Sequence, residues 1–155
     1  MVRLILALIL VLLLATPSMG QQSLVGTYKL VSYFVEIDGT PSEPMGKAPH
    51  GYNVMTPTHF FVVFYTSDNR KFGTSVAEKA ALFDTLAGYS GVYRVEGDKM
   101  ISTVDASWVE NINGVTAVST WQLSGNRLTI ANAPTPWPRD PSKTMIRRVV
   151  WEKIE

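Results

Sequence analysis

The stretch MISTVDASW, residues 100–108, alternates between two faces of different chemistry. Its uncharged face, which includes several small side chains, comprises Met100, Ser102, Val104, Ala106 and Trp108. The opposite face carries the only charge, on Asp105. Alternation with a period of two is typical of a half-buried β-strand, so the uncharged face is predicted to point inward and Asp105 outward.

The same alternation recurs along the chain and predicts an all-β protein. Turn residues separate the runs, for example at residues 38–39, 97–98 and 124–126. Hairpin connections imply antiparallel, up-and-down strands, and eight such strands favour closure into a barrel because closure removes the exposed sheet edges. The predicted strands span residues 24–37, 52–56, 59–66, 91–96, 100–107, 116–123, 127–131 and 144–154.

One short helix is predicted over about residues 75–87. Ser75, followed three residues later by Glu78, has the spacing of a capping box, and Gly88 suits the C-terminal end. Because residues 59–66 are apolar on both strand faces, the helix is a candidate cover for the outer one. The apolar helix residues form a stripe that is predicted to pack on the core: Val76, Ala80, Leu82, Phe83, Leu86 and Ala87.

The first twenty residues have the pattern of a signal peptide. Arg3 precedes an apolar run that ends at Ala15, and the small residue Gly20 suits cleavage before Gln21. The run is shorter than the roughly 20 apolar residues of a membrane span. Residues 1–20 are therefore predicted to be removed, leaving residues 21–155 as one secreted or periplasmic domain without stable membrane insertion. The alternative is an uncleaved N-terminal anchor.

Charge and cysteine content exclude several classes of function. The chain has 14 Lys and Arg against 13 Asp and Glu, and Arg3 is the only charge in residues 1–20, so 13 of each sign remain. This balance, with no basic block, argues against nucleic acid as a partner. The chain has no Cys, so an exported domain of this sequence depends on its hydrophobic core for stability.

Six segments resemble, in order, the bacterial lipocalin-like domain family: LVGTYKLVSY, HGYNVMTPTHF, YSGVYRVEGDKM, the Ser-Trp pair at 107–108, WQLSGNRLTI and RVVWEKI. The resemblance covers essentially all of residues 21–155. It implies an eight-stranded barrel with a cavity for a small, largely apolar molecule. Tyr28 stands where lipocalins usually have Trp, and Ser102 and Ser119 stand near positions where relatives often have His and Arg. Chemistry that depends on those two residues is not implied here.

The interior of the predicted barrel is expected to bind a small hydrophobic molecule. The alternation of inward and outward side chains places four small residues together inside the barrel, namely Ser102, Ala106, Ala117 and Ser119. Their small side chains leave volume for a ligand. In the alternative interpretation, larger aromatic residues opposite them fill that space and the core is solid. The predicted ligand-binding residues are Phe34, Tyr52, Phe61, Tyr93, Ser102, Ala106, Trp108, Ala117, Ser119 and Trp121.

Two regions leave alternatives open. Arg147 and Arg148 fall on opposite faces of the last strand, and one of them is expected to stack on an aromatic ring at the closed end, with Tyr28 as the suggested partner. Two Pro-rich loops are expected to flank the mouth of the barrel. Trp137, in the second loop, is either a lid residue or a loop anchor.

The sequence contains no catalytic motif. His50 and His59 have no zinc-binding spacing, so neither a metal nor a cofactor is predicted. The alternative to ligand binding is an enzyme of the isomerase or cyclase type that confines a small substrate, with His59, Tyr52 or Tyr65 transferring protons. A third hypothesis, protein interaction, predicts a contiguous apolar patch on the outer wall.

Overall fold

Eight antiparallel strands form a closed barrel in the computed structural model, which describes residues 23–66, 70–137 and 140–155. The predicted all-β barrel is thereby confirmed. Two further short strands, β2 and β9, extend the sheet beside β1 and β10. In chain order the strands are β1 (Gly26–Ile37), β2 (Thr40–Ser42), β3 (His50–Met55), β4 (His59–Tyr65), β5 (Leu86–Glu96), β6 (Lys99–Ser107), β7 (Thr116–Ser124), β8 (Arg127–Asn132), β9 (Thr135–Trp137) and β10 (Asp140–Lys153).

The first and last strands close the barrel. β1 pairs with β3 on one side and with β10 on the other, and β10 pairs in turn with β8. The hydrogen-bonded order therefore runs β1-β3-β4-β5-β6-β7-β8-β10 and back to β1. The predicted signal peptide, residues 1–20, lies outside the described residues.

The barrel has a packed end and an open end. Tight turns at residues 56–58, 97–98 and 125–126 join strands at the packed end. The longer connections, which include both Pro-rich loops, lie at the other end. The packed end holds the core, and its largest fully buried side chains are Leu24, Tyr28, Met55, Leu128 and Trp151.

A short helix, α1 (Val76–Asp84), connects β4 to β5 at the open end. The Ser75 side chain accepts a hydrogen bond from the Glu78 backbone, and the Glu78 carboxylate accepts one of 2.9 Å from the Ser75 backbone, so the predicted capping box is present. The helix ends at Asp84 rather than near residue 87. Strand pairing explains the difference, because Leu86 lies opposite Tyr65 as β5 begins.

The apolar residues within α1 do not pack on the core, contrary to the prediction, although Ala87 of the predicted stripe is buried in the core as part of β5. None of the helix residues is buried; Val76 is 86% exposed and Phe83 is 47% exposed. The helix joins two strands that are neighbours in the barrel, and its C-terminal connection to β5 is the single residue Thr85. This short tether keeps α1 at the rim, so the outer face of β4 remains uncovered.

A register shift in β1 changes which residues face inward. Against β10, Leu30 and Ser32 pair with consecutive partners, and Val31 is the extra residue. Such a β-bulge reverses the alternation of inward and outward side chains beyond it. Tyr33 consequently points into the barrel, and Phe34 points outward.

A second shift occurs in β6. Against β5, Gly91 pairs with Val104 but Ser90 pairs with Ala106, which leaves Asp105 as the extra residue. Asp105 and Ala106 are both exposed. The outward prediction for Asp105 is confirmed, and its carboxylate accepts a 2.8 Å hydrogen bond from the Ser90 hydroxyl. The inward prediction for Ala106 is wrong, because the bulge breaks the alternation after Val104.

Candidate functional site

A cavity of about 360 Å³ occupies the barrel between the packed core and the open end. All eight barrel strands contribute side chains to its wall. Pockets of roughly 300–1,000 Å³ with mostly apolar walls and a few polar groups are typical of small-molecule sites. The principal apolar wall residues are Met55, Phe60, Val62, Phe64, Met100, Val104, Trp108, Ile130, Val149 and Trp151.

Elements at the open end narrow the mouth of this cavity. Met45 comes from the first Pro-rich loop, Asp84 from the end of α1, and Leu86 from the start of β5. Ile112, in the 3₁₀ turn Glu110–Ile112, completes the rim. Most of these side chains are apolar, so the entrance suits a molecule with little polar surface.

Arg147 places a positive charge in this largely apolar wall. Tyr33 and Tyr89, which also line the cavity, lie beside it, and Tyr33 interacts with the guanidinium through its hydroxyl. Burial alone lowers the pKa of Arg147, but Tyr89 and Tyr33 outweigh it and leave the pKa raised. Arginine is in any case protonated throughout the physiological range, so the charge is permanent.

Ring packing fixes the two tyrosines. The Tyr33 ring lies 5.2 Å from that of Phe64 between centroids. Tyr89 lies between Phe60, edge-on at 5.9 Å, and Trp108 at 6.3 Å. Burial raises the pKa of Tyr89, although the charge of Arg147 acts in the opposite direction. This packing holds both side chains beside Arg147 in the cavity wall.

The expected stacking of an arginine on Tyr28 at the closed end is wrong. Arg147 lines the cavity, and Arg148 is exposed on the outside. Lys153 takes the predicted role, with its ammonium 5.9 Å from the centre of the Tyr28 ring. The reason is the register of β10, which brings Lys153 opposite Tyr28 and leaves Arg147 opposite Val35, nearer the mouth.

The other polar groups of the wall are small or amide side chains. Ser102, Ser119 and Asn132 line the cavity, and the side-chain oxygen of Asn132 accepts a hydrogen bond from the Arg147 backbone N–H. Asn53 is 2% exposed, and its side-chain oxygen has no hydrogen-bond partner among the described residues. A buried acceptor of this kind is costly unless a partner reaches it, so it is available to a donor inside the cavity.

Four of the sequence-predicted ligand-binding residues line the cavity: Ser102, Trp108, Ala117 and Ser119. Two more, Tyr93 and Trp121, belong to the packed end. Tyr93 is buried and donates to the Thr56 carbonyl. Trp121 packs on the core and donates from its indole to the Gly97 carbonyl. Alternation thus placed these side chains inside, at two different depths.

The other four predicted ligand-binding residues lie outside the cavity. Phe34 and Ala106 follow the two bulges and face outward for that reason. Tyr52 and Phe61 are 48% and 49% exposed on the outer wall. In β3 and β4 the inward residues are their neighbours Asn53, Phe60 and Val62. Since both faces of β4 are apolar, its alternation could not distinguish inside from outside.

The proposed proton-transfer residues also lie outside the barrel. His59 is exposed; its Nδ1 is 2.8 Å from the Thr58 hydroxyl, and its ring stacks over Phe61. Tyr52 and Tyr65 are exposed on the same outer wall. The enzyme hypothesis in that form has none of its acid–base groups in the cavity. No cluster of three His, Asp or Glu side chains suited to a metal occurs within the described ranges.

The outer wall of β3 and β4 carries exposed apolar side chains. Tyr52, Val54, Phe61 and Val63 each expose between 40% and 49% of their surface. Such a surface is what the protein-interaction hypothesis predicts.

Trp137, in β9, does not line the cavity, and Lys143 lies 5.7 Å from the centre of its ring. The Trp137 ring thus lies against Lys143 and not in the cavity wall, which favours the loop anchor over the lid.

Sequence reasoning missed the polar centre of the site. Tyr33 was hidden by the bulge at Val31, which no residue pattern marks. Tyr89 lay between the predicted helix, which ended near residue 87, and the predicted strand, which began at residue 91, although it shares a face of β5 with the buried residues Gly91 and Tyr93. Arg147 lies on the same face of the last strand as Trp151. This shared face was the one sequence feature that indicated an inward position for Arg147.

Comparison with known proteins agrees with this architecture. The model of the lipocalin-like domain family matches residues 25–154, and the chain belongs to that family. No curated protein and no solved structure matches the chain. Among the helices of the described residues, none has the length and apolar character needed to cross a membrane.

Proposed function

We propose that this protein is an exported binding protein that holds one small, largely apolar molecule inside its barrel. The observation that carries the proposal is the cavity of about 360 Å³ with its predominantly apolar wall. The lipocalin-like fold supports it, since barrels of eight strands are wide enough for one small ligand when their interior side chains are small. Ser102, Ala117 and Ser119 supply those small side chains.

Binding is tested with the chain expressed in full, so that any removal of residues 1–20 takes place during export. Titration with an apolar fluorescent probe should saturate at one molecule per chain, and medium-chain fatty acids or aromatic compounds should compete. Trp108 lies in the cavity wall, so quenching of its fluorescence provides a second signal. A Trp108→Phe variant should show weaker quenching, from Trp151 in the same wall, but keep probe binding. Absence of saturable binding would overturn the proposal.

Export rests on the sequence pattern of residues 1–20. The intact mass of the protein recovered outside the cytoplasm should correspond to a chain that begins at Gln21. Retention of residues 1–20 on a membrane-bound form would instead indicate an uncleaved anchor. Native mass spectrometry of the same sample should show a co-purifying small molecule.

A further inference from the structure

We infer that the ligand carries a single carboxylate, which binds to Arg147 with the help of Tyr33 and Tyr89. The inference rests on the proposed function and specifies the chemical class of its ligand as a small amphiphile with one planar anionic group. The remainder of the molecule lies against the apolar wall.

No ion pair of Arg147 occurs within the described parts of the chain. Among the residues that the structure describes, the ion pairs are Lys47 with Glu43, Arg94 with Glu96, and Lys143 with Asp140, and none involves Arg147. A guanidinium has five N–H donors and stays charged. Such a cation in an apolar wall is costly unless an anion pairs with it.

The neighbours of Arg147 fit an anion better than a cation. Tyr33 and Tyr89 carry hydroxyls that can donate to an oxyanion, and the Tyr33 hydroxyl also bonds to the guanidinium. Asp84 also lines the cavity, at the end of α1, but forms no ion pair with Arg147 in the part of the chain that is described. Within residues 23–66, 70–137 and 140–155, the charge of Arg147 is thus left for the ligand to neutralise.

One cation and two phenols favour a carboxylate over a phosphate. A guanidinium matches the planar geometry of a carboxylate and binds it through two parallel hydrogen bonds. A phosphate monoester carries a charge of about −1.5 to −2, and a single arginine would leave part of it unpaired in the apolar wall. The charge balance at Arg147 therefore selects a monoanion.

The cavity volume sets the size of the molecule. At about 30 Å³ for each water-sized unit, a cavity of about 360 Å³ holds about a dozen non-hydrogen atoms. Decanoate has that size, and decanol has the same chain without the charge. The two compounds are therefore matched probes for the carboxylate alone.

The test is calorimetric titration of the full chain and its variants with decanoate and with decanol. In the parent protein, decanoate should bind about tenfold or more tightly than decanol, because hydrogen bonds to charged groups are the stronger ones. Arg147→Met keeps an unbranched apolar stem and removes the charge. It should abolish the preference while decanol binding is retained.

The matched control is Arg148→Met, which removes the neighbouring arginine from the outer surface of the same strand. It should leave the preference for decanoate intact. If Arg147→Met does not fold, Arg147→Lys keeps the charge but lacks the planar fork, and the preference should then fall part of the way. An undiminished preference in either Arg147 variant would contradict the inference.

The two proposals fail in different ways. Equal affinity of the parent for decanoate and decanol would overturn the carboxylate inference and leave the binding function standing. Failure of both compounds and of the fluorescent probe to bind the parent would overturn the binding function, and the inference with it.

Discussion

The hydroxyl of Tyr93 donates a 2.8 Å hydrogen bond to the backbone carbonyl of Thr56 at the packed end of the barrel. Tyr93 lies on β5 and Thr56 lies in the turn between β3 and β4, so the bond fastens that turn to the neighbouring strand. Tyr28 makes a similar bond of 2.9 Å to the Leu24 carbonyl. Two buried tyrosines thus secure the packed end.

Loss of the Tyr93 bond should lower stability. Tyr93→Phe keeps the ring but leaves the Thr56 carbonyl without this donor, so the free energy of unfolding should fall by about 1–2 kcal/mol. Chemical denaturation at pH 8 measures the change. Tyr52→Phe, on the outer wall, is the matched control and should match the parent. Equal stability of all three proteins would mean that the bond contributes nothing.

Stability should also fall at alkaline pH. Burial, followed by the influence of Tyr28, raises the pKa of Tyr93 from 10.0 to about 12. The unfolded chain loses this proton near pH 10 and the folded chain only near pH 12, so stability is fully present below pH 10 and declines between the two values. The decline amounts to about 1.4 kcal/mol for each pKa unit. Denaturation curves between pH 9 and 12 should show that the free energy of unfolding declines less steeply with pH in Tyr93→Phe than in the parent.

Gly91 on β5 should tolerate no side chain. A Cβ atom there would lie 2.0 Å from the Thr103 carbonyl oxygen and 2.9 Å from the Phe60 ring. Overpacking against backbone is relieved only by moving a strand, so Gly91→Ala should destabilise the protein by about 3 kcal/mol. Gly88→Ala is the control on the same strand, where the nearest atom is 4.0 Å away. Thermal unfolding distinguishes the two; similar stability of both variants would contradict the packing described.

Filling the cavity should separate binding from folding. Ser119→Phe introduces a ring into the cavity wall, and probe affinity should fall about tenfold or more while the protein stays folded, because the ring occupies space that is already open. Ala106→Phe places the same ring on the outer surface and should leave affinity unchanged. A loss of more than about 3 kcal/mol in Ser119→Phe would indicate a solid core at this position.

The capping box of α1 should hold to low pH. Hydrogen bonds from the Ser75 and Thr74 backbones lower the pKa of Glu78 from 4.5 to about 2. Its contribution to the helix is therefore present above pH 4.5 and lost as the pH falls through about 2. An NMR titration of the Glu78 carboxylate should show this midpoint. Thr74→Val removes a hydroxyl that donates to the Glu78 carboxylate, so this substitution should raise the midpoint.

The alternation of residues sufficed for the eight barrel strands and their order, but not for the start of β5 at Leu86 or for the short strands β2 and β9. It also placed Ser102 and Ala117 inside, because their strands are regular at those positions. It failed beyond Val31, where one extra residue reverses the alternation, and at Ala106, next to the extra residue Asp105, because local composition marks neither bulge. The alternation also failed for Phe61, because both faces of β4 are apolar and the sequence gives no difference between the inward and the outward face. The position of Arg147 depended on the register of β10, which is a property of the closed barrel and not of that strand alone.

The bulge at Val31 divides β1 into two segments whose side chains follow independent phases. Tyr28 and Leu30, before the bulge, pack in the core, whereas Tyr33, after it, lines the cavity. Deleting this one residue would remove the bulge but leave Tyr33 in the cavity, because Ser32 and Tyr33 already pair with Val150 and Val149, directly after the pair of Leu30 with Trp151. The chain thus has one residue more in β1 than a regular strand would need at this point. The bulge absorbs that residue, and Tyr33 rather than Phe34 lies beside Arg147 as a result.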